Sequence, residues 1–455
     1  MLVRELLKNF QELANKEVEF TGRIRSNRQG KNVSFLVLND GSVIDDVQVV
    51  YKNETKNFEQ LSKQRLGAVV YIQGKLVPTP NRPQPFEIQA KISEIISECA
   101  EEYPLQKKEQ SLEFLREIPQ LRPRTKTFQA VFKIRSLLSF AIHKFFNEKD
   151  FVYVNTPIIT ENDAEGAGEA FVVTTRNDGK YEDDFFGKKA NLTVSGQLNA
   201  EAYAQSLNSV YTFGPTFRAE NSNTSRHAAE FWMIEPEVAL NSLKENIDLI
   251  EELIKSVLSY VLENGRKELE ACQNFFDDKL ISRLESAKDS KFKVLDYAEA
   301  INILKEAVKK NKNEFEEKNI KFGLDLGSEH EKYLCEKHFG SPVFLINYPK
   351  EIKAFYMKLN DDKKTVAAVD LLVPGIGELV GGSQREDNFD KLILRSKELG
   401  INFDDLSWYF NLRKFGYYKS SGFGLGFERL VMYVTGATNI RDVISFPRTP
   451  NNLLF

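Results

Sequence analysis

Five short runs of alternating apolar and polar residues between Val18 and Ser97 constrain this chain more than any other feature. VEFTGRI, NVSFLVL, DDVQVVY, AVVYIQGKLV and FEIQAKISEII are each of strand length, and Gly, Asn, Asp and Pro turns separate them. Five such strands point to a small barrel. The pattern then changes. Residues 98–126 mix charge runs with three prolines and read as a hinge with at most one short helix. From Phe128 to Phe146 apolar residues recur at helical spacing (Phe128, Val131, Phe132, Leu138, Ile142, Phe145), and FVYVNTPII follows as an extended segment ending at Pro157. Residues 240–340 read mostly as amphipathic helices, and 340–455 return to strands with a closing helix. The expected division is 1–100, a hinge at 101–126, and 127–455.

A five-stranded barrel whose face binds single-stranded nucleic acid is an OB-fold, the natural candidate here. Net charge is -4, so nucleic acid must be held by local patches rather than by the whole surface. One patch is GRIRSNRQGK, with Arg23, Arg25, Arg28 and Lys31 and no acidic residue, and Phe35 on the next strand offers a stacking surface. A solvated basic turn with Phe35 in the core is the other reading.

The chain's 455 residues exceed one ordinary core and predict two or three domains. No apolar run nears the roughly 20 residues of a membrane helix. The start, MLVRELLKNFQELANKEVEF, reads as neither signal nor transit peptide, so the expected compartment is the cytosol, with no membrane partner. Cys99, Cys272 and Cys335 form no CxxC pair, and HEKYLCEKH lacks HExxH spacing. Neither disulfides nor structural zinc are expected, and His330 and His338 read as ordinary structural histidines.

Chemistry concentrates in the second half. YTFGPTFRAE and EFWMIEPEV look like a hairpin with a polar loop, which points Arg218 and Glu220 the same way. Phe231, Met233, Glu235 and Glu237 share one face, while Trp232, Ile234 and Val238 share the other and are expected in the core. Guanidinium, carboxylates and a ring on one face suit a nucleotide; a structural Arg–Glu pair with core aromatics is the plainer alternative. GFGLGFERLVMYVTG has GxGxGxER spacing rather than a dinucleotide GxGxxG, and predicts a strand entering a helix with Leu430, Val431 and Val434 inward and Gly436 near its end. In AAVDLLVPGIGE, Asp370 and Glu378 flank a Pro-Gly turn that could bring two oxygen ligands together for Mg²⁺.

The helix with VNTPII, then TFRAENSNTSRHAAEFWMIEPEV, then GFGLGFERLVMYVTG resemble motifs one, two and three of class II aminoacyl-tRNA synthetases, in that order. With EGAGEAF, SGQLNAEAY, GIGELVGGSQRE and RDVISFPRTP, the chain resembles the asparaginyl-tRNA synthetase family along its whole length. The resemblance implies an α+β fold: an N-terminal OB-fold β-barrel reading the anticodon, then a class II antiparallel sheet flanked by helices, dimerising as a homodimer through motif one. It implies ATP as co-substrate, Mg²⁺, L-asparagine and tRNA(Asn). By the same resemblance Arg218 would hold the α-phosphate and the amino-acid carboxylate, Glu220 would contact the adenylate or the tRNA end, and Phe231 would stack on adenine. Arg226 and His227 would reach the outer phosphates or the tRNA acceptor end. Gly424 and Gly426 would let backbone pass close to ATP, and Arg429 would pair with the γ-phosphate. Asp370 and Glu378 would hold Mg²⁺, with Glu378 also at ATP. Arg218, Glu220 and Arg429 are the expected catalytic groups, with no covalent intermediate. Glu165, Ser195 and Gln197 would secure the substrate ammonium; Arg385 and Glu235 would hold the side-chain amide. In the barrel, Phe35 would stack an anticodon base, Gln48 would read its edge, and Arg25 would contribute from the basic turn.

The related aspartyl-tRNA synthetases typically read SPQLxKQ where this chain has SGQLNAE, so Ala200 replaces a lysine that helps neutralise a substrate carboxylate. This favours an amide, which needs one donor and one acceptor. The alternatives are an aspartyl-tRNA synthetase, a synthetase-like asparagine synthetase, which would lack the barrel, and a non-catalytic tRNA-binding paralogue, which would be expected to lose some of Arg218, Glu220, Phe231 and Arg429.

Overall fold

The computed structural model describes residues 1–455 apart from residues 32, 83, 109 and 162–169, and the backbone alone of residue 312. The chain divides into two compact units, Met1–Ala130 and Val131–Phe455.

In the first unit, α1 (Val3–Asn9) precedes β1 (Glu17–Arg28), β2 (Val33–Asn39) and β3 (Val47–Lys52); α2 (Phe58–Ser62) precedes β4 (Val69–Pro78) and β5 (Phe86–Ser97). The strands close into a barrel in the order β1-β2-β3-β5-β4, sealed by parallel pairing of β3 with β5 at Val49 and Ile88. Closure leaves no sheet edge exposed. Period-two alternation sends Leu36 and Leu38 into a core with Phe20, Val49, Ile72 and Ile88, and turns Phe35 and Val37 outward, half-buried. Phe35 is therefore not a core residue. Gln48, paired with Val37, lies on the same outer face. A register shift between Ile24 and Ser26 leaves Arg25 as the extra residue of β1, and such a bulge re-aims a side chain. Its guanidinium meets Asp46 at 3.3 Å and Gln129 Oε1 at 2.5 Å. After the barrel come α3 (Leu112–Glu117), whose cap Ser111 accepts from Phe114 N–H, and a 3-10 turn at Arg122–Arg124.

Next is α4 (Lys126–Glu148), with Val131, Ile134, Leu138, Ile142 and Phe146 all fully buried. β6 (Val152–Tyr153) follows. β7 (Ile159–Thr160), β8 (Val172–Val173) and β9 (Ala190–Leu192) make a small separate sheet. α5 (Gln197–Leu207) leads to the hairpin of β10 (Ser209–Phe217) and β11 (Glu230–Ala239). α6 (Leu243–Asn264), α7 (Arg266–Phe275), α8 (Leu280–Asp289), β12 (Lys293–Asp296), α9 (Tyr297–Lys310) and α10 (Ser328–Lys332) form the inserted segment. β13 (Val343–Pro349), β14 (Thr365–Val373), β15 (Gly377–Gln384), α11 (Phe389–Glu398), α12 (Ser407–Asn411), β16 (Ser420–Gly426) and α13 (Phe427–Thr435) complete the unit.

Among the described residues the main sheet runs β12-β13-β14-β15-β16-β11-β10-β6. Its interior is antiparallel as expected, but both outermost pairs, β12 with β13 and β6 with β10, are parallel. A parallel pair needs a long crossover, and α9 with α10 supplies it for β12 and β13. Segment 240–340 is mostly helical as expected, and its one named strand, β12, joins the sheet. Trp232 departs from expectation. β11 is fully buried only from Ile234 onward, so Trp232, at the open end, is 39% exposed and meets Phe213 edge-on. His330 is buried, stacked on Phe315, with one ring nitrogen accepting from Gly327 N–H and the other against Glu317 O, a structural histidine. Cys272 and Cys335 are buried free thiols.

The inward–outward alternation of β2 is testable. Leu36→Ala should cost the barrel about 2–5 kcal/mol in denaturant unfolding followed by a probe in the first unit, and Phe35→Ala clearly less. Equal losses would contradict the orientation.

Candidate active site

Register sets the site. Directly opposed residues of antiparallel strands share a face. Thr212 opposes Glu235 and Thr216 opposes Phe231 across β10 and β11. Met233 opposes Gly426 and Glu237 opposes Gly422 across β11 and β16. Gly381 opposes Gly424 and Ser383 opposes Gly422 across β15 and β16, and Asp370 opposes Gly381 across β14 and β15. One face therefore carries Phe231, Met233, Glu235, Glu237 and Asp370 around a floor of Gly381, Gly422, Gly424 and Gly426. The reverse face offers Ile234, Phe423, Leu425, Val380 and Val369, all buried.

At one end lies a cleft lined by Arg218, Glu220, Arg226, His227, Phe231, Met233, Glu378, Gly424, Gly426, Glu428 and Arg429. Every residue expected at the nucleotide lines it. Arg218 and Glu220 stand just past the end of β10 rather than on it, with Arg218 N–H bonded to Ala229 O at 3.0 Å, which keeps the hairpin closed there. The Arg218 guanidinium is 5.5 Å from the Phe231 ring centroid. Arg429 donates to Glu378 O at 3.0 Å and Oε2 at 3.2 Å. Burial alone would raise the Glu378 carboxyl, but Arg429 and Lys353 hold it below its ordinary range. His227 Nδ1 lies 2.5 Å from Thr224 Oγ1, and burial, with Arg429, Arg218 and Arg226 nearby, depresses its pKa. Asp370 Oδ2 accepts from Lys353 Nζ at 2.6 Å. A Cβ on Gly381 would sit 3.0 Å from Glu378 Oε1 and 3.4 Å from Asp370 Oδ1, so these two oxygens converge over that glycine. Carboxylate oxygens are the donor type that a hard divalent cation takes, though among the described residues no group of three or more His, Cys, Asp or Glu side chains forms a metal cluster.

The other end holds Glu235, Glu237 and Arg385. Arg385 is 1% exposed and grips both carboxylate oxygens of Glu237, with Nη1 donating to Ser383 Oγ at 2.6 Å. Burial works against the guanidinium charge, yet Glu237 more than offsets it, leaving Arg385 above its ordinary pKa. Glu235 accepts from Ser195 Oγ and from Gly196 N–H at 2.9 Å. The Ser195 hydroxyl, expected at a substrate ammonium, donates to Glu235 and orients that carboxylate. The Gln197 amide nitrogen is buried without a hydrogen-bond partner among the described residues, a donor suited to a ligand oxygen. Ala200 is fully buried beside Ala204 and Val210 and brings no cation. Glu165 lies outside the described residues. Arg25, Phe35 and Gln48 belong to the first unit, described above, and not to this face.

Two family models match the chain: "tRNA synthetases class II (D, K and N)" over residues 111–450 and "OB-fold nucleic acid binding domain" over residues 18–97. The chain is 63% identical over 455 residues to the asparagine–tRNA ligase of Mycoplasma mycoides subsp. mycoides SC, with all of both chains covered. The chain belongs to the asparagine–tRNA ligase family. The ligase of Mycoplasma capricolum is 62% identical over 455 residues, again covering both chains in full. Among solved structures, asparaginyl-tRNA synthetase from Pyrococcus horikoshii complexed with asparaginyl-adenylate superposes with a TM-score of 0.87 at 33% identity, covering 100% of this chain and 99% of that one. Ligase-family membership fits the OB barrel and the synthetase sheet seen here.

Sequence reasoning missed several groups at this site. Glu428 links three elements, accepting from Arg135 Nη2 of α4 at 2.7 Å and from Trp232 N–H of β11 at 2.9 Å. Lys353 lies between β13 and β14 and gave no signal beyond being basic. Glu331 sits in HEKYLCEKH, where the histidines drew attention; burial, with Glu378 and Asp370 beside it, pushes its carboxyl up to about 7.

The depressed pKa of His227 can be read by NMR. Its imidazole should titrate below 6.5 in the free protein, so its contribution to stability is present above about pH 6.5 and is lost as pH falls through the folded value. Adding ATP should raise the midpoint, because triphosphate favours the cation; a free-protein midpoint above 6.5 would contradict this electrostatic picture.

Proposed function

We propose that the chain joins L-asparagine to tRNA(Asn) in two steps, through an asparaginyl-adenylate. Asparagine's carboxylate attacks the α-phosphorus of ATP and the bond to the leaving diphosphate breaks. The terminal adenosine hydroxyl of the tRNA then attacks the adenylate carbonyl and AMP leaves. The observation that carries this reading is the single glycine-floored face with a guanidinium-rich cleft at one end and the Arg385–Glu237–Glu235 group at the other.

Adenine stacks on Phe231, and Arg218 meets the α-phosphate and the attacking carboxylate. Glu220 contacts the adenylate or the tRNA end. Arg226, His227 and Arg429 face the outer phosphates. The attacking carboxylate is already an anion, so no general base is needed, and positioned positive charge supplies the acceleration. Asp370 and Glu378 would hold Mg²⁺ through the oxygens that converge over Gly381. The chemistry magnesium would supply there is positive charge that offsets the triphosphate.

Charge balance at the amino-acid end favours asparagine over aspartate. Arg385 is matched one-to-one by Glu237, Ala200 adds no cation, and Glu235 adds a negative charge, so a second carboxylate would lack a counter-ion. An amide finds donors on Arg385 and an acceptor on Glu235. Glu165, Ser195 and Gln197 complete the substrate pocket.

In the first unit, residues 1–100 read the anticodon, with Phe35 stacking, Gln48 reading a base edge, and Arg25 oriented by Asp46; residues 101–126 are the hinge and 127–455 catalyse. A homodimer through α4 and β6 is supported by the outer edge of β6, unpaired among the described residues, where Val152 and Tyr153 are 42% and 44% exposed. No helix among the described residues is long and apolar enough to cross a membrane, and we place the activity in the cytosol.

The test is incubation with ATP, labelled asparagine and total tRNA, alongside amino-acid-dependent diphosphate exchange. Label should enter tRNA, and exchange should prefer asparagine to aspartate. Arg218→Ala should lower exchange by about 10²-fold or more. Gln48→Ala should impair charging and spare exchange. Preference for aspartate would reject the proposed substrate, and equal loss of both steps in Gln48→Ala would reject the division of labour.

A further inference from the structure

The inserted segment reaches the edge of the nucleotide cleft through α10. α10 runs directly into a π-helical turn, Tyr333–His338. Its i→i+5 bonding brings residues five apart towards one side, and two carboxylates five apart both touch the turn between β14 and β15. Glu336 Oε1 accepts from Gly375 N–H at 2.6 Å, and Glu331 Oε2 accepts from Glu378 N–H at 3.0 Å. Between them Gly377 has φ +86°, and a Cβ there would lie 2.5 Å from Glu331 Oε2 and 3.5 Å from Arg226 Nη1. Glu331 and Arg226 therefore converge on the same gap. Of the carboxylates near Arg226, Glu331 does most to favour its charge.

We propose that Glu331 is a positioning residue for the outer-phosphate end of the site. It acts through the backbone of Glu378 and the guanidinium of Arg226, so that the inserted segment is part of the ATP site and not only a scaffold. The physical argument is one of competition. Arg226 and Arg429 both lie near Glu378, whose carboxylate is paired with Arg429. A separate carboxylate on α10 holds Arg226 away from that pair and keeps it available to phosphate. The bond to Glu378 N–H simultaneously fixes the residue whose side chain converges with Asp370. Charge-assisted hydrogen bonds of this kind are directional enough to set such an arrangement.

The proposal rests on the ATP-dependent reading above, and the experiment separates the two. Glu331→Ala removes both the acceptor of Glu378 N–H and the carboxylate facing Arg226. Glu331→Gln keeps an acceptor for Glu378 N–H but removes the charge facing Arg226. Diphosphate exchange should show KM for ATP raised about tenfold or more in Glu331→Ala, with an intermediate rise in Glu331→Gln and KM for asparagine unchanged. Equilibrium binding of ATP in the absence of asparagine should weaken in the same order, while thermal unfolding of Glu331→Gln stays near that of the unsubstituted chain. Unchanged KM and binding for ATP in both variants, or parallel increases in KM for ATP and asparagine, would overturn the positioning role. An unsubstituted chain with neither exchange nor ATP binding would instead bring down the functional reading itself, and this inference with it.

Discussion

The buried grip of Arg385 on Glu237 organises this molecule. Both side chains are almost wholly excluded from solvent, and a buried charge is tolerated only when paired and hydrogen-bonded. The pair joins β11 to the residue that follows β15, across β16, and Arg385 N–H also bonds Ser420 O of β16 at 2.8 Å. Between the bridged strands only glycine fits, because a Cβ on Gly422 would lie 2.3 Å from the Glu237 carboxylate. Behind it a second buried pair, Arg413 with Glu201 at 2.6 Å, is completed by Tyr409 and Tyr417, both bonded to Glu201 at 2.7 Å. Buried ion pairs add little net stability compared with well-packed apolar groups. Their value here is that they fix the charge and the orientation of groups at one end of a ligand face.

From that constraint the rest of the face follows. Glycines at 381, 422, 424 and 426 leave the centre of the sheet bare, so side chains at its margins define what can lie on it. Glu235, held by Ser195 and Gly196, bounds one end; the arginines of the hairpin loop and of α13 bound the other. Lys353 and Arg429 each take one oxygen of Asp370 and Glu378, and the remaining oxygens turn together. The inserted segment enters this frame through strand β12 and through the carboxylates that hold the β14–β15 turn.

The amount of this visible in the sequence depended on how local each signal was. Period-two alternation set the barrel strands but left Phe35 open between a stacking surface and the core, because alternation gives two faces without saying which one is inside; the closed barrel turns it outward. The glycine spacing of GFGLGFER likewise gave a strand entering a helix, and the hairpin gave the shared face of Phe231, Met233 and Glu235. What escaped was non-local. Nothing in HEKYLCEKH says that Glu331 meets Glu378 N–H 47 residues later in the chain, or that four residues of a helical region, Lys293–Asp296, pair with β13. Trp232 was misplaced because alternation gives a face but not how far along a strand the core extends. The bond of Ser195 to Glu235 was not legible because it joins residues 40 apart.

The central claim is that one continuous face binds adenosine at Phe231 and an amide side chain at Arg385 and Glu235, with Arg218 where the two halves meet. A crystal structure of the chain with a non-hydrolysable asparaginyl-adenylate analogue tests it most directly. The account expects the adenine on the Phe231 ring, the acyl phosphate mimic at Arg218, and the amide oxygen on Arg385 with the Glu237 pair intact. An analogue bound in reverse, bound off this face, or bound only after Arg385 has left Glu237 would contradict it.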